Sequence, residues 1–406
     1  MTHSRNVTKC PACGAQEAES LYRVACAPTH SVLLHKSRSE ALEYPSGEIS
    51  LFSCPICGFI FNAKYDPSLQ DYRAEYESTQ SYSPTFDKFS RSLAQKLIDR
   101  YDLHGKRILE IGCGMGEFLS QICVMGDNRG LGFDPAYQPG RVPSNDNIEF
   151  IKDFYSEQYA HQRADFVICK MTLEHIGNVT EFVGMVHSAL VNSPHAIVFF
   201  QVPDASRVLE EIAFWDIYYE HCSYFTATSL EILFRRSGFE ILRLENAYDH
   251  QYLMIEARLS PDQVSKEEEK SAVLIEFTKI PRKSSNQPVV FFRDKFAQRL
   301  SDWQQFLNNA KQQGKHVALW GGGSKAVAFL TTLGVTDEIA YCVDINPHKR
   351  NTITAGSGHE IIVPEDLSNA PPDVVIVLNP IYLAEIRQCL TQLGLAPEII
   401  SITKSF

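Results

Sequence analysis

The run Phe214-Trp-Asp-Ile-Tyr-Tyr-Glu-His-Cys-Ser-Tyr-Phe225 sets Tyr218, Glu220 and His221 side by side in a stretch too aromatic to be a solvated face. A neutral imidazole is a competent base near neutral pH, and a neighbouring carboxylate such as Glu220 is suited to fixing its tautomer. Phenols beside it offer hydrogen bonds to an oxyanion. The plain alternative is a packed core around one satisfied histidine. A second imidazole, His175 in Leu173-Glu-His-Ile176, also follows a strand, and two histidines after successive strands of one sheet favour a functional reading. A different chemistry is written near the N-terminus. Cys10-Pro-Ala-Cys13-Gly and Cys54-Pro-Ile-Cys57-Gly repeat one knuckle, and four thiolates in two such pairs form the closed tetrahedral set that a structural Zn²⁺ takes. Cys26, His30 and His35 lie between the knuckles as spare ligands that a full set of four does not need.

These groups need a scaffold, and the most informative stretch is Ile108-Leu-Glu-Ile-Gly-Cys-Gly-Met-Gly-Glu-Phe-Leu119. It reads as strand, glycine turn and helix, with Gly112, Gly114 and Gly116 at the turn, where the backbone bends sharply or a ligand comes close. A second strand, Gly130–Phe133, ends at Asp134, placed to meet a ribose diol. A third, Ile148–Ile151, ends at Asp153. A fourth, Asp165–Cys169, opens into Lys170 and the His175 segment, and a fifth, Ala196–Pro203, precedes the aromatic run. Glu110 lies inside the first strand, where a buried carboxylate is costly without a role.

The glycine loop with acids after strands two and three resembles the class I S-adenosylmethionine-dependent methyltransferases over roughly residues 95 to 258; a dinucleotide-binding fold is the alternative. The resemblance implies that Glu110, Gly112, Gly114, Gly116, Asp134, Asp153 and Lys170 line the cofactor. With a Cys₄ segment before this core and a second nucleotide-type domain after it, the whole chain resembles the sugar C-methyltransferases, which act on nucleotide-diphosphate 4-keto-6-deoxy sugars. That resemblance implies an α/β protein in three parts. These are a zinc-binding domain (1–68), a Rossmann-like methyltransferase domain (69–258) whose residues 69–94 read as an aromatic lid or, equally, a hydrogen-bonded linker, and a C-terminal Rossmann-like domain gripping the nucleotide-sugar (259–406). It also implies His221 as the base that makes an enolate for methylation at C3. His175, Tyr218 and a lid tyrosine, Tyr76 or Tyr82, then position the sugar, and Glu220 supports His221. O- or N-methylation of a related metabolite is the alternative reaction, and a zinc scaffold without activity is the non-enzyme reading. One departure stands out: where the family tends to carry His-Gly-Gly-Ser after the late strand, this chain has Asp249-His250-Gln251-Tyr252.

In the last third, Pro261–Pro288 is charged and proline-bounded, reading as surface helix and linker. Phe296, Leu300, Trp303, Phe306, Leu307 and Ala310 then recur at helical spacing as a packing stripe. His316-Val-Ala-Leu-Trp-Gly-Gly-Gly-Ser-Lys-Ala326 is again strand, glycine turn and helix. Gly322, Gly323, Ser324 and Lys325, with Asp344, Asn379 and Tyr382 at the same sheet edge, suit an anionic diphosphate. A dinucleotide, or no ligand at all, is the other option for this loop. A net charge of −11 argues against a nucleic-acid partner, and no obligate protein partner is expected. No secretion signal or run of about 18 apolar residues is evident, so a cytoplasmic protein with reduced thiols and no membrane partner is expected.

Overall fold

The computed structural model describes residues 9–70, 72, 76–260 and 286–404. The expected linker falls mostly outside these residues. The N-terminal segment contributes β1 (Glu19–Pro28), the short helix α1 (Arg38–Leu42), β2 (Ser46–Ser53) and β3 (Ile60–Asn62). Next come α2 (Pro84–Tyr101), β4 (Arg107–Ile111), α3 (Glu117–Gly126), β5 (Arg129–Phe133), β6 (Ile148–Ile151), β7 (Phe166–Lys170), α4 (Val179–Ala189) and β8 (Ile197–Pro203). The central part closes with α5 (Ala205–Glu210), β9 (Ser223–Tyr224), α6 (Ala227–Arg236), β10 (Phe239–Ala247) and β11 (Tyr252–Leu259).

Seven strands form the central sheet in the order β10-β11-β8-β7-β4-β5-β6, with β11 alone running against the rest. Its inner strands are apolar on both sides, as helices on both faces require. Leu109, Ile111, Val167, Cys169, Val198 and Phe200 enter one buried cluster, while the alternating Ile108, Phe166, Ile168 and Phe199 enter another. The helices start where their sequences say they should. Ser83 caps α2 by accepting from the Phe86 amide at 3.2 Å, with Pro84 in the first turn, and Thr226 caps α6 in a reciprocal box with Ser229.

The N-terminal sheet, β1-β2-β3-β9, is completed from inside the central part: Ile60 pairs with Tyr224 and Phe61 with Ser223. Ser223 and Tyr224 are therefore the strand that joins the knuckle segment to the core. The C-terminal part adds α7 (Gln287–Gln312), β12 (Val317–Trp320), α8 (Ser324–Leu333), β13 (Tyr341–Val343), β14 (Thr352–Ile353), β15 (Glu360–Ile362), β16 (Val374–Val377), α9 (Leu383–Gln392) and β17 (Glu398–Ser401). Its six-stranded sheet runs β14-β15-β13-β12-β16-β17, parallel except for β14. Trp303, Leu307 and Ala310 of the α7 stripe are buried in a cluster that also holds Leu21, Leu51, Trp215 and Phe329. One apolar core thus crosses all three parts and fixes their mutual arrangement. No described helix is long and apolar enough to cross a membrane.

Candidate active site

The carboxyl ends of the central strands, the lid residues and the glycine loop of the C-terminal sheet open onto one cavity of about 570 Å³. At its central end, Gly114 donates its N–H to Asp134 Oδ2 at 2.8 Å, and Ala136 N–H bonds the other oxygen at 2.8 Å. Burial pushes the Asp134 carboxyl up to about 6 against these two amides. The three glycines divide by role. Gly114 (φ 56°) has open space where a Cβ would stand and lines the cavity. A Cβ on Gly112 would meet Thr172 Oγ1 at 2.0 Å, and one on Gly116 would meet the Phe150 ring at 2.5 Å. Gly116 is therefore demanded by packing and its φ of 87°, and it is not part of the cavity wall. Glu110 is buried and Lys170 half-buried against the cavity; desolvation pushes the acid up and the amine down, and each opposes the shift of the other. Lys170 Nζ rests 3.5 Å from the centre of the Phe118 ring. Asp153 is held at the rim by the Phe154 amide, Gln158 and Tyr159. Open backbone at Gly114 with carboxylates at three strand ends fits an adenosyl amino acid, whose ribose, base and ammonium group all seek such acceptors.

Against this end sits an imidazole cluster. The His175 and His221 rings meet edge to face with centroids 4.8 Å apart, and the Tyr218 ring is tilted against His221 at 4.1 Å. Burial drives both histidines toward the neutral form, His175 to about 4 and His221 well below its usual value. The phenols of Tyr76 and Tyr218 are driven upward and stay protonated, so they are donors. The two lid tyrosines part company. Tyr76 packs 5.8 Å from the ring of His30 beside the cluster, whereas Tyr82 lies over His348 on the C-terminal side, 40% exposed.

Glu220 does not support His221 as its position in the sequence suggested. His30 Nδ1 lies 2.9 Å from Glu220 Oε1, the Ser31 amide donates to Oε2 at 3.0 Å, and the Ser31 hydroxyl bonds the same oxygen. Ser31 Oγ, its one proton given to Glu220, also lies 2.8 Å from Ser324 Oγ, so the knuckle segment, the aromatic run and the C-terminal glycine loop meet at one carboxylate. His30 is thereby no spare metal ligand. His35 lies 3.5 Å from Glu40, and the Cys26 thiol donates to Ser46 at 2.9 Å.

At the C-terminal end, Gly323, Ser324, Lys325, Asp344, Asn379 and Tyr382 line the cavity, whereas Gly322 does not. The Cβ position of Gly322 is blocked by Ile361 at 2.9 Å, and its N–H donates to Asp344 Oδ2 at 2.9 Å. Lys325 is ion-paired with Asp216, which also accepts from Arg207 at 2.9 Å. Lys349, which the sequence reading passed over, bonds Asp344 at 2.9 Å and stands above Gly323. Asn379 and Gln251 exchange amide hydrogen bonds of 2.8 and 3.1 Å, and the Tyr248 and Tyr382 hydroxyls meet at 2.9 Å. The turn between β10 and β11 keeps Tyr248, Asp249 and His250 at φ of 54°, 54° and 57°. This is the left-handed backbone that glycines would adopt without strain, at the point where the chain departs from His-Gly-Gly-Ser.

The four knuckle cysteines are buried and free of disulfides, with Cys10 and Cys57 sulfurs 3.7 Å apart and Cys13 and Cys54 sulfurs 3.5 Å apart. Tetrahedral zinc with bonds of about 2.3 Å needs sulfurs roughly 3.8 Å apart, so the donor set fits that ion.

Comparison with known proteins bears on the same segments. The family model of a methyltransferase domain matches residues 86–244, and that of a C-methyltransferase C-terminal domain matches residues 263–395. The C-methyltransferase NovU of Streptomyces niveus is 25% identical over 345 residues, covering 82% of this chain and 77% of that protein. Solved structures that align include a 1,6-didemethyltoxoflavin-N1-methyltransferase from Burkholderia thailandensis with bound S-adenosylhomocysteine (TM-score 0.34, 16% identity, 44% of this chain and 84% of that one). Another is an S-adenosylmethionine-dependent methyltransferase from Aquifex aeolicus (TM-score 0.35, 13% identity, 48% and 100%).

Proposed function

For a chain that belongs to the S-adenosylmethionine-dependent C-methyltransferases, we propose that the substrate is a nucleotide-diphosphate 4-keto-6-deoxy sugar, methylated at C3 through an enolate with His221 as the base. The observation that carries this reading is a single cavity with three kinds of wall: Gly114 and Asp134, the His175–His221–Tyr218 cluster, and the Ser324–Lys325 loop with Lys349.

A carbon beside a ketone becomes a nucleophile only when its proton leaves, and a desolvated neutral imidazole is able to take it. His221 is kept in that form by burial. As the electron pair moves onto the ketone oxygen, the protonated Tyr76 and Tyr218 and the imidazole of His175 are the donors at hand. Bound S-adenosylmethionine supplies an activated methyl group that carries its own leaving group. Gly114, Asp134, Asp153, Glu110 and Lys170 would hold it, so the remaining task of the protein is alignment. Lys325 and Lys349 are the cations for the diphosphate, with the amides at the start of α8. In this reading Asp216 and Asp344 hold the two ammonium groups in place until phosphate oxygens reach them. The four knuckle cysteines would hold a structural Zn²⁺, which supplies folding free energy to the N-terminal segment. A cytoplasmic setting belongs to the same reading, since such thiolates need reducing conditions.

The test is the position of the new methyl group. With methyl-labelled S-adenosylmethionine and a 4-keto nucleotide-sugar, carbon-13 NMR of the product should show the label bonded to C3 of the sugar. A label on oxygen or nitrogen would replace this reading with a hydroxyl- or amine-directed one.

A further inference from the structure

Glu174 stands beside the proposed base and has no role in the reading above. It is 1% exposed, lines the cavity, and neither carboxyl oxygen has a hydrogen-bond partner among the described residues; its own backbone amide offers only partial compensation. Its Oε1 lies 4.0 Å from His221 Nε2, and polar atoms of Glu174, His175 and His221 all lie within 4.8 Å of one another. A buried carboxyl aimed at an imidazole without a partner is expensive and calls for a function. The other nearby carboxyl, Glu220, is fully engaged by His30 and Ser31. We propose that Glu174 is the positioning partner of His221 and the final acceptor of the proton removed from the sugar carbon.

The proposal rests on His221 being the base. In the competent pair, once the 4.0 Å gap closes to hydrogen-bond distance, Glu174 is ionised and accepts the Nε2–H of His221, leaving the lone pair on Nδ1. The C–H bond of the sugar breaks, its electron pair staying behind in the enolate, and the proton bonds to Nδ1. The Nε2 proton passes to Glu174, so the ring ends neutral in its other tautomer and the carboxyl ends as the acid. No cation is left in a pocket that disfavours one. The environments of the two carboxyls point the same way. Glu220 is held down by His30 and Ser31, while burial pushes Glu174 up to about 8. The titratable groups facing Glu174 are His221, His175, Tyr218, Tyr252, Cys169 and Cys222, none of which is a cation there. The sign follows: the competent form is the carboxylate, so turnover should rise with pH through about 8.

The experiment compares the full-length enzyme with its Glu174→Gln and Glu174→Asp variants, using calorimetric binding of S-adenosylmethionine as the control for folding. Gln keeps an acceptor for Nε2–H but takes no proton. For Glu174→Gln we expect kcat to fall about 100-fold or more, KM for the nucleotide-sugar to stay within about threefold, and the rising limb near pH 8 to vanish. Glu174→Asp should be slower than the parent yet keep the limb. A Glu174→Gln enzyme with near-parental kcat and an intact limb would overturn the role of Glu174 while leaving His221 as base. A His221→Ala enzyme that still exchanges the sugar proton would instead remove the reading on which the role depends.

Discussion

At the scale of single residues, the site depends on environments that hold side chains in chosen protonation states. His175 and His221 are stripped of solvent and stay neutral, while Tyr76 and Tyr218 stay protonated beside them. The glycine loop makes an equally sharp distinction. Gly112→Ala combines a φ of 71° with a clash on Thr172, and should cost about 2–4 kcal/mol, read as a lowered Tm. Gly114→Ala meets no atom and should cost only the left-handed backbone, about 1–2 kcal/mol, yet weaken S-adenosylmethionine because its methyl enters the cavity. Calorimetry on both variants checks this, and parental affinity in Gly114→Ala would remove that residue from the cofactor wall. Residue types were legible from the chain, because acids after strands and histidines among aromatics are local patterns. Partners were not. Glu220 is adjacent to His221 in sequence but bonds His30, 190 positions away, and no spacing rule reports a contact of that range. Lys349 was missed for the same reason, since a lone lysine carries no pattern until the fold sets it above Gly323.

At the scale of elements, the strand–turn–helix units were readable because hydrophobic period and glycine placement are local, and their limits moved by only a residue or two. The fourth strand runs Phe166–Lys170 rather than Asp165–Cys169, and the fifth starts at Ile197 rather than Ala196. The strand β9 was invisible: two residues have no period, and Ser223–Tyr224 become a strand only by pairing with β3. That pairing gives the knuckles a consequence beyond their own segment. β9 begins two residues after His221, and His30 and Ser31 hold Glu220. If the knuckles hold the proposed zinc, its removal by chelation or by Cys54→Ser should therefore lower turnover steeply while the affinity for S-adenosylmethionine stays within a few-fold, measured by assay and calorimetry on the same samples. Unchanged turnover in a metal-free protein would detach the knuckles from the active site.

At the scale of the whole molecule, three parts enclose one space. The lid joins the two larger parts: Ser83 donates to the Glu385 carboxylate at 2.9 and 3.0 Å, Asn346 donates to Glu77 at 3.1 Å, and Thr79 donates to Glu117 at 2.8 Å. The Gln251–Asn379 and Tyr248–Tyr382 contacts add a second seam behind it. The motif that opens each part was legible, because it is local; the shared core and these seams were not, because they join residues hundreds of positions apart. On the proposed function, such closure would place a base, a methyl donor and a phosphate grip around one sugar. The most direct measurement is solvent exchange. With a 4-keto nucleotide-sugar and S-adenosylhomocysteine in deuterated water, the parent enzyme should incorporate deuterium at C3. His221→Ala should bind both ligands and incorporate none. Deuterium entering at the parental rate in His221→Ala, or failing to enter C3 in the parent, would contradict carbon methylation through an enolate made by His221.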